Sequence, residues 1–238
     1  MKPTRRTTIR RSAKRGIYDP AVVDAILDAG IVAHVGFVHD GQPFVIPMSY
    51  ARDGDRLLLH GAGGSRLMRT LASGVPACVT VTLLDGIVLA RSVFHHSMNY
   101  RSVVALGSAT KLEGAAKSAA LEALVEGLVP GRSREARAPS RAELAATTIL
   151  AFPLDEVSAK ARSGPPADDP ADVDLPVWAG TIPLALEARS PEAAPDVRDG
   201  EALPRSVVEW VRRGPADRQT GARGATAIDD PEAVPPRA

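Results

Sequence analysis

The run Leu57-Leu58-Leu59-His60-Gly61-Ala62-Gly63-Gly64-Ser65-Arg66 joins an apolar stretch to a glycine-rich turn and a Ser-Arg pair. This is the layout of an anion site. Glycines let backbone amides approach a ligand closely, and a helix start adds partial positive charge. Ser65 would cap the helix and offer its hydroxyl, and Arg66 would add a forked, charge-assisted contact to phosphate oxygens. The plainer reading is a glycine-rich turn followed by an ordinary serine cap. It is not a Walker loop, because no Gly-Lys-Ser or Gly-Lys-Thr occurs.

A second concentration of chemistry is Phe94-His95-His96-Ser97-Met98-Asn99-Tyr100-Arg101-Ser102, polar and aromatic side chains set between apolar strands. Such a segment is costly unless it meets a ligand, a partner chain or water. His95 and His96 face opposite sides if extended, so they do not chelate one ion together, and one of them is structural or at the surface. Lys160 and Arg162 alternate onto one face of a strand, which suits either a second anion site or a solvated basic face.

The elements that must position these residues can be read from local pattern. Asp19-Pro20 caps a short amphipathic helix carrying Val22, Val23, Ile26 and Leu27 and ending at Gly30. Strands over 31–39 and 43–51 are split by Asp40-Gly41, and a third strand over 56–60 feeds the Ser65 helix, which stops at Gly74. Strands are expected over 77–84, 87–95 and 101–112, with Asp85-Gly86 turning the first pair; helices over 115–128 and briefly from Ala142 precede a strand over 147–154. Strands with inserted helices argue an α+β fold built on a largely antiparallel barrel.

The 238 residues fit one core plus appendages: a basic mobile arm over 1–15, a domain over 16–188, and a Pro/Ala-rich, mostly disordered tail over 189–238 with one short helix around Trp210. With 29 Lys and Arg against 28 Asp and Glu, a formal charge of +1 gives no global pull towards nucleic acid or acidic membrane. The single Cys78 excludes a disulfide framework and a cysteine-cluster metal site. With no export signal or apolar span of about 20 residues, a cytoplasmic protein without a membrane or metal requirement is expected.

From about Arg15 to Leu186 the chain resembles the FMN-binding split barrels related to pyridoxamine 5′-phosphate oxidase. His60, Ser65 and Arg66 match the strand end and the Ser-Arg pair that hold the FMN phosphate there. Tyr100-Arg101-Ser102-Val103 resembles that family's Arg-Gln-Val strand beside the flavin, with Ser102 in place of glutamine. Val177-Trp178-Ala179-Gly180 resembles its Phe-Trp-Gln-Gly segment; Trp178 otherwise reads as a core or interface aromatic. His34-Val35-Gly36-Phe37, Pro43 to Tyr50 and His96 to Val103 are similar to the nitroimidazole-resistance-type branch, which implies that Pro47, Met48, Ser49 and Tyr50 run along the ring. The resemblance therefore implies a split β-barrel with short flanking helices and a cofactor site of Pro47, Met48, Ser49, Tyr50, His60, Gly61, Ser65, Arg66, His96, Asn99, Tyr100, Arg101, Ser102 and Trp178. Thr181-Ile182-Pro183-Leu184 replaces the oxidase's basic segment for pyridoxal phosphate, so vitamin B6 oxidation does not fit.

An FMN-dependent oxidoreductase acting on a small planar substrate is the expected function, with no catalytic acid-base set identified. The alternatives are a non-catalytic FMN- or haem-binding sensor, with His96 or His60 as axial ligand, and an interaction protein using the arm and tail. A homodimer with the flavin between subunits is expected, with Trp178 and Met98 to Arg101 as cross-subunit contacts.

Overall fold

The computed structural model describes residues 2–198 and 200–225. In chain order its elements are β1 (Gly16–Ile17), α1 (Pro20–Ala29), β2 (Val32–His39), β3 (Gln42–Asp53), β4 (Arg56–Ala62), α2 (Arg66–Ala72), β5 (Pro76–Leu89), β6 (Ser97–Ser108), β7 (Thr110–Lys111), α3 (Gly114–Leu128), α4 (Arg141–Ala146), β8 (Thr147–Pro153), β9 (Glu156–Arg162), β10 (Gly180–Pro183) and α5 (Arg205–Ala225).

All pairings are antiparallel, in the order β1-β9-β6-β5-β2-β3-β4-β8-β7, with β10 added to β5. The long strand β3 belongs to both halves: its first part pairs with β2 and its last with β4. The sheet curls round one core in which Val35, Val81, Val103, Leu57, Leu59, Leu150 and Phe152 meet, closed at one side by Val23, Ile26 and Leu27 of α1. This is an α+β split barrel. Strict alternation explains why one strand serves two surfaces: Val103 and Ala105 are 1% and 0% exposed, whereas Val104 and Leu106 between and beyond them face outward. A smaller cluster of Ala51, Leu58 and Ile149 is covered by Ala120 and Leu124 of α3.

Two local expectations are overturned. The strand expected to run to His95 ends at Leu89, and Val93–His95 forms a 3-10 turn. Asp85-Gly86 is not a turn: β5 runs through it as one strand with a bulge between Leu84 and Gly86. Tertiary contacts override the dipeptide's turn preference. The Asp85 carbonyl accepts from Leu184 N–H and its carboxylate is held by Arg101. At Gly86 a Cβ would stand 2.9 Å from the Ile182 carbonyl oxygen, so glycine permits β10 to approach.

The basic arm lies along the β9 edge: Thr7 is 4% exposed, Arg6 pairs with Glu156, and Lys160 donates to the Arg11 carbonyl at 3.3 Å. At the other end α5, kinked at Gly214, docks through Trp210 Nε1–H to the Leu128 carbonyl at 2.7 Å and through Ser206 to Glu135. The expected helix around Trp210 is thus present and longer than the sequence suggests; residues 226–238 of the expected tail lie outside the described residues. Among the described residues no helix is long and apolar enough to cross a membrane.

Candidate functional site

The barrel is split along one edge of β3. From Gln42 to Ser49 this strand pairs with β2 alone, and β4 takes up its other edge only from Tyr50 onward. Pro43 and Pro47 lack an N–H and must direct that side away from the β2 ladder. Strand alternation then turns the backbone groups of Val45 and Ser49 the same way, towards the opening. Pro47 is exposed and Met48 and Ser49 are half-buried along this edge, whereas Tyr50 is 3% exposed. The Tyr50 hydroxyl donates to the Leu27 carbonyl, and burial, followed by the Asp28 charge, pushes its pKa well above the ordinary tyrosine value. Tyr50 therefore ties β3 to α1.

The start of α2 borders the same opening. Ser65 is its N-cap, with extended backbone and Oγ accepting from Met68 N–H at 3.2 Å, which leaves the hydroxyl hydrogen free to donate. Arg66 follows at the first helical position, exposed and without a carboxylate partner among the described residues. Its guanidinium lies 4.4 Å from the centre of the Phe44 ring. His60, on β4 opposite Ile149, has a buried Nδ1 with no hydrogen-bond partner among the described residues. A buried imidazole nitrogen without a partner is costly, and a hydrogen-bonding group would satisfy it, whereas the exposed Arg66 is solvated.

The glycines act differently from the expected amide cradle. Gly63 N–H donates to the Ala146 carbonyl and Ser65 N–H to that of Ala62, so both are consumed in closing the turn. Gly61 is paired with Thr148, and a Cβ there would stand 2.9 Å from Met68 Cγ; it is glycine so that α2 can pack closely on β4. Beside the Gly63 and Ser65 amides, the groups this turn presents include the Ser65 hydroxyl and the Arg66 guanidinium.

The second group of expected site residues divides by strand face. Arg101 points inward and is 2% exposed, donating from Nε and Nη2 to the two Asp85 oxygens at 2.8 and 2.7 Å. Asn99 also points inward. It donates to the Gly164 carbonyl at 3.1 Å and accepts from Arg162, which is 5% exposed and reaches the carbonyls of Gly164 and Pro165 as well. Lys160 and Arg162 do share a face, but the one bonds the arm and the other staples the 163–165 loop. Tyr100 and Ser102 face outward, half-buried, with Ser102 Oγ bonded to the Lys160 carbonyl at 3.3 Å. Trp178 is 67% exposed and its ring folds over Gly180.

His96 is exposed. Its Nδ1–H donates to the Ser92 carbonyl at 3.0 Å, which fixes the ring and leaves Nε2 without a partner among the described residues. The turn that carries it presents Val93 and Phe94, 92% and 87% exposed, and is held from behind by Asp168. Burial opposes the Asp168 charge, but the Arg91 backbone N–H and guanidinium, at 2.8 and 2.6 Å, outweigh it and hold the carboxyl below its usual range.

Phe44 and Asp85 escaped sequence reasoning. Phe44 carries no polar group, and Asp85 was absorbed into a turn signal; opposite charges on adjacent strands, Asp85 and Arg101, were the available clue.

Residues 19–161 match the family model described as pyridoxamine 5′-phosphate oxidase. No curated protein sequence matches the chain. Among solved structures, the FAD and heme binding protein from Mycobacterium smegmatis is 41% identical, with a TM-score of 0.80 over 82% of this chain and 96% of that one. The flavocytochrome Anf3 from Azotobacter vinelandii is 38% identical, with a TM-score of 0.83 over 87% and 97%. A 5-nitroimidazole antibiotic resistance protein from Bacteroides thetaiotaomicron, 22% identical with a TM-score of 0.52 over 61% and 85%, shares the fold.

Proposed function

The chain belongs to the pyridoxamine 5′-phosphate oxidase family, and on that premise we propose that it is a flavin-dependent oxidoreductase that works as a homodimer and also carries haem. The observation that supports this most is the open edge of β3, bordered by an Arg66 without a carboxylate partner among the described residues. These groups suit the half that FMN and FAD have in common. Ser65 and Arg66 hold phosphate, the 47–49 backbone meets the polar edge of the ring, and His60 completes the hydrogen bonding. The relatives of about 40% identity are named for FAD and heme and as a flavocytochrome.

A bound flavin supplies hydride or electron transfer to a small planar substrate. The residues named bind and orient it. Pyridoxal phosphate is not the substrate in this reading, because the segment after Trp178 forms β10, whose Ile182 lies opposite Ile87 rather than offering an arginine.

Haem finds its best residue in His96. Its Nδ1–H bond to a carbonyl is the arrangement that orients metal-binding histidines, and Val93, Phe94 and Met98 give it an exposed apolar setting. The dimer rests on the outer sheet face, where Ile182, Ile87 and Met98 are 46%, 41% and 51% exposed in one cross-strand row. Contiguous apolar surface of this kind is rare on monomers.

The test is the absorption spectrum of protein purified without added cofactor. Flavin bands, a Soret band lost in His96→Ala, and bleaching by a reduced nicotinamide are expected, with mass spectrometry of the released flavin telling FMN from FAD. Colourless protein that takes up neither group defeats the reading. Light scattering should give a dimer; a monomer that still holds one flavin per chain defeats the shared site.

A further inference from the structure

Four arginines of the barrel face a carboxylate: Arg52 with Asp28, Arg56 with Asp53, Arg91 with Asp168 and Arg101 with Asp85 all stand within 2.7 Å of it. Arg66 instead lies on a ring. Phe44 carries its guanidinium at 4.4 Å, and Phe44 is itself stacked on Phe37, with ring centres 5.5 Å apart and planes 21° from parallel. Phe37 is opposite Phe44 in the β2–β3 register and 5% exposed, so the stack is anchored in the core. On the far side, His39 Nδ1 and Thr70 Oγ1, 3.1 Å apart, tie the end of β2 to α2.

We propose that Phe44 is a positioning residue for Arg66, holding the guanidinium at the split of the barrel so that its N–H groups remain available to the flavin phosphate. The inference rests on the flavin reading above. A carboxylate in the same place would occupy the N–H groups that must bind phosphate, whereas an aromatic face engages only the flat side of the cation. The long, exposed side chain is thus fixed without being neutralised. Lysine cannot replace it, since an ammonium lacks both the flat face and the fork.

The test is a double-mutant cycle of Phe44→Leu and Arg66→Ala read by FMN and FAD titration, with Phe44→Trp as the conservative variant. An exposed cation–π contact corresponds to an affinity loss of about two- to fivefold. That loss is expected for Phe44→Leu when Arg66 is present and should vanish in the Arg66→Ala background, while Phe44→Trp retains parental affinity. An equal loss in both backgrounds overturns the proposal and makes Phe44 a packing residue only. A flavin-independent readout accompanies it: the ring-current shift of the Arg66 side-chain protons in NMR spectra, expected in the parent and lost in Phe44→Leu. A parent that shows the shift but binds no flavin removes the flavin reading and leaves Phe44 placing Arg66 for another anion. Absence of the shift in the folded parent removes the proposal itself.

Discussion

Arg101 and Arg66 sit in the two stretches that sequence resemblance marks as cofactor-binding, and the fold treats them in opposite ways. On β6, Arg101 is buried against both oxygens of Asp85, and the neighbouring Arg162 is bonded to Asn99 and two carbonyls. At the split, Arg66 is exposed over Phe44. The first region bonds its polar groups within the chain; in the second, Arg66 has no carboxylate partner among the described residues. An arginine's role is set by whether its donors are already taken, because a saturated guanidinium has nothing left to give a ligand.

The largest effect that would break this contrast is at Arg101. Asp85→Ala strands a buried guanidinium and should cost about 3–5 kcal/mol of stability in denaturant titration, with flavin stoichiometry of the folded fraction unchanged. Substituting both partners, Asp85→Leu with Arg101→Met, should cost less than either single change. A stable Asp85→Ala protein that had lost flavin would move Arg101 into the site.

Next in size is Arg66→Ala. Removing a charge-assisted phosphate contact should weaken flavin affinity by about 1.5–3 kcal/mol, roughly ten- to a hundredfold, against about 1 kcal/mol for Ser65→Ala. The unfolding free energy of the flavin-free Arg66→Ala protein should stay within about 0.5 kcal/mol of the parent. An Arg66 variant as unstable as the Asp85 variant would erase the distinction between the two regions.

Tyr50 sharpens the boundary between them. Sequence places it with the flavin edge, and the structure bonds it to α1, so Tyr50→Phe should lower stability by about 1 kcal/mol and leave flavin affinity alone.

The smallest effect calibrates the scale. Arg137 and Glu143 are as close as Arg101 and Asp85, 2.6 Å against 2.7 Å, but their side chains are 73% and 49% exposed. The Arg137 guanidinium, followed by the Ser140 backbone and hydroxyl, lowers the Glu143 pKa to about 2. A carboxylate whose folded pKa is depressed contributes stability above its unfolded value, about 4.3, and that contribution is lost as pH falls from there to about 2. Glu143→Gln should therefore flatten the acid limb of the stability curve only slightly, since solvent screens the pair. An acid response as large as that of Asp85→Ala would mean that burial does not separate these pairs.

Where the signal was local, the sequence determined the outcome. Asp19-Pro20 opened α1, Asp40-Gly41 turned β2 into β3, Ser65 capped α2, and alternation in β6 set Val103 inward and Val104 outward, because caps, tight turns and strand faces depend on neighbours within a few residues. The resemblance likewise pointed to the family. Only the tertiary structure decided that Asp85-Gly86 is a bulge, that the Gly63 amide bonds the end of α4, that Tyr50, Asn99, Arg101 and Arg162 are bonded within the chain, and that Phe44 lies under Arg66. Each of these depends on a partner far away in sequence: Arg101 for Asp85, Ala146 for Gly63, Leu27 for Tyr50 and Arg66 for Phe44. A side chain's identity states what it can bond, and the fold alone determines which bonds are already made.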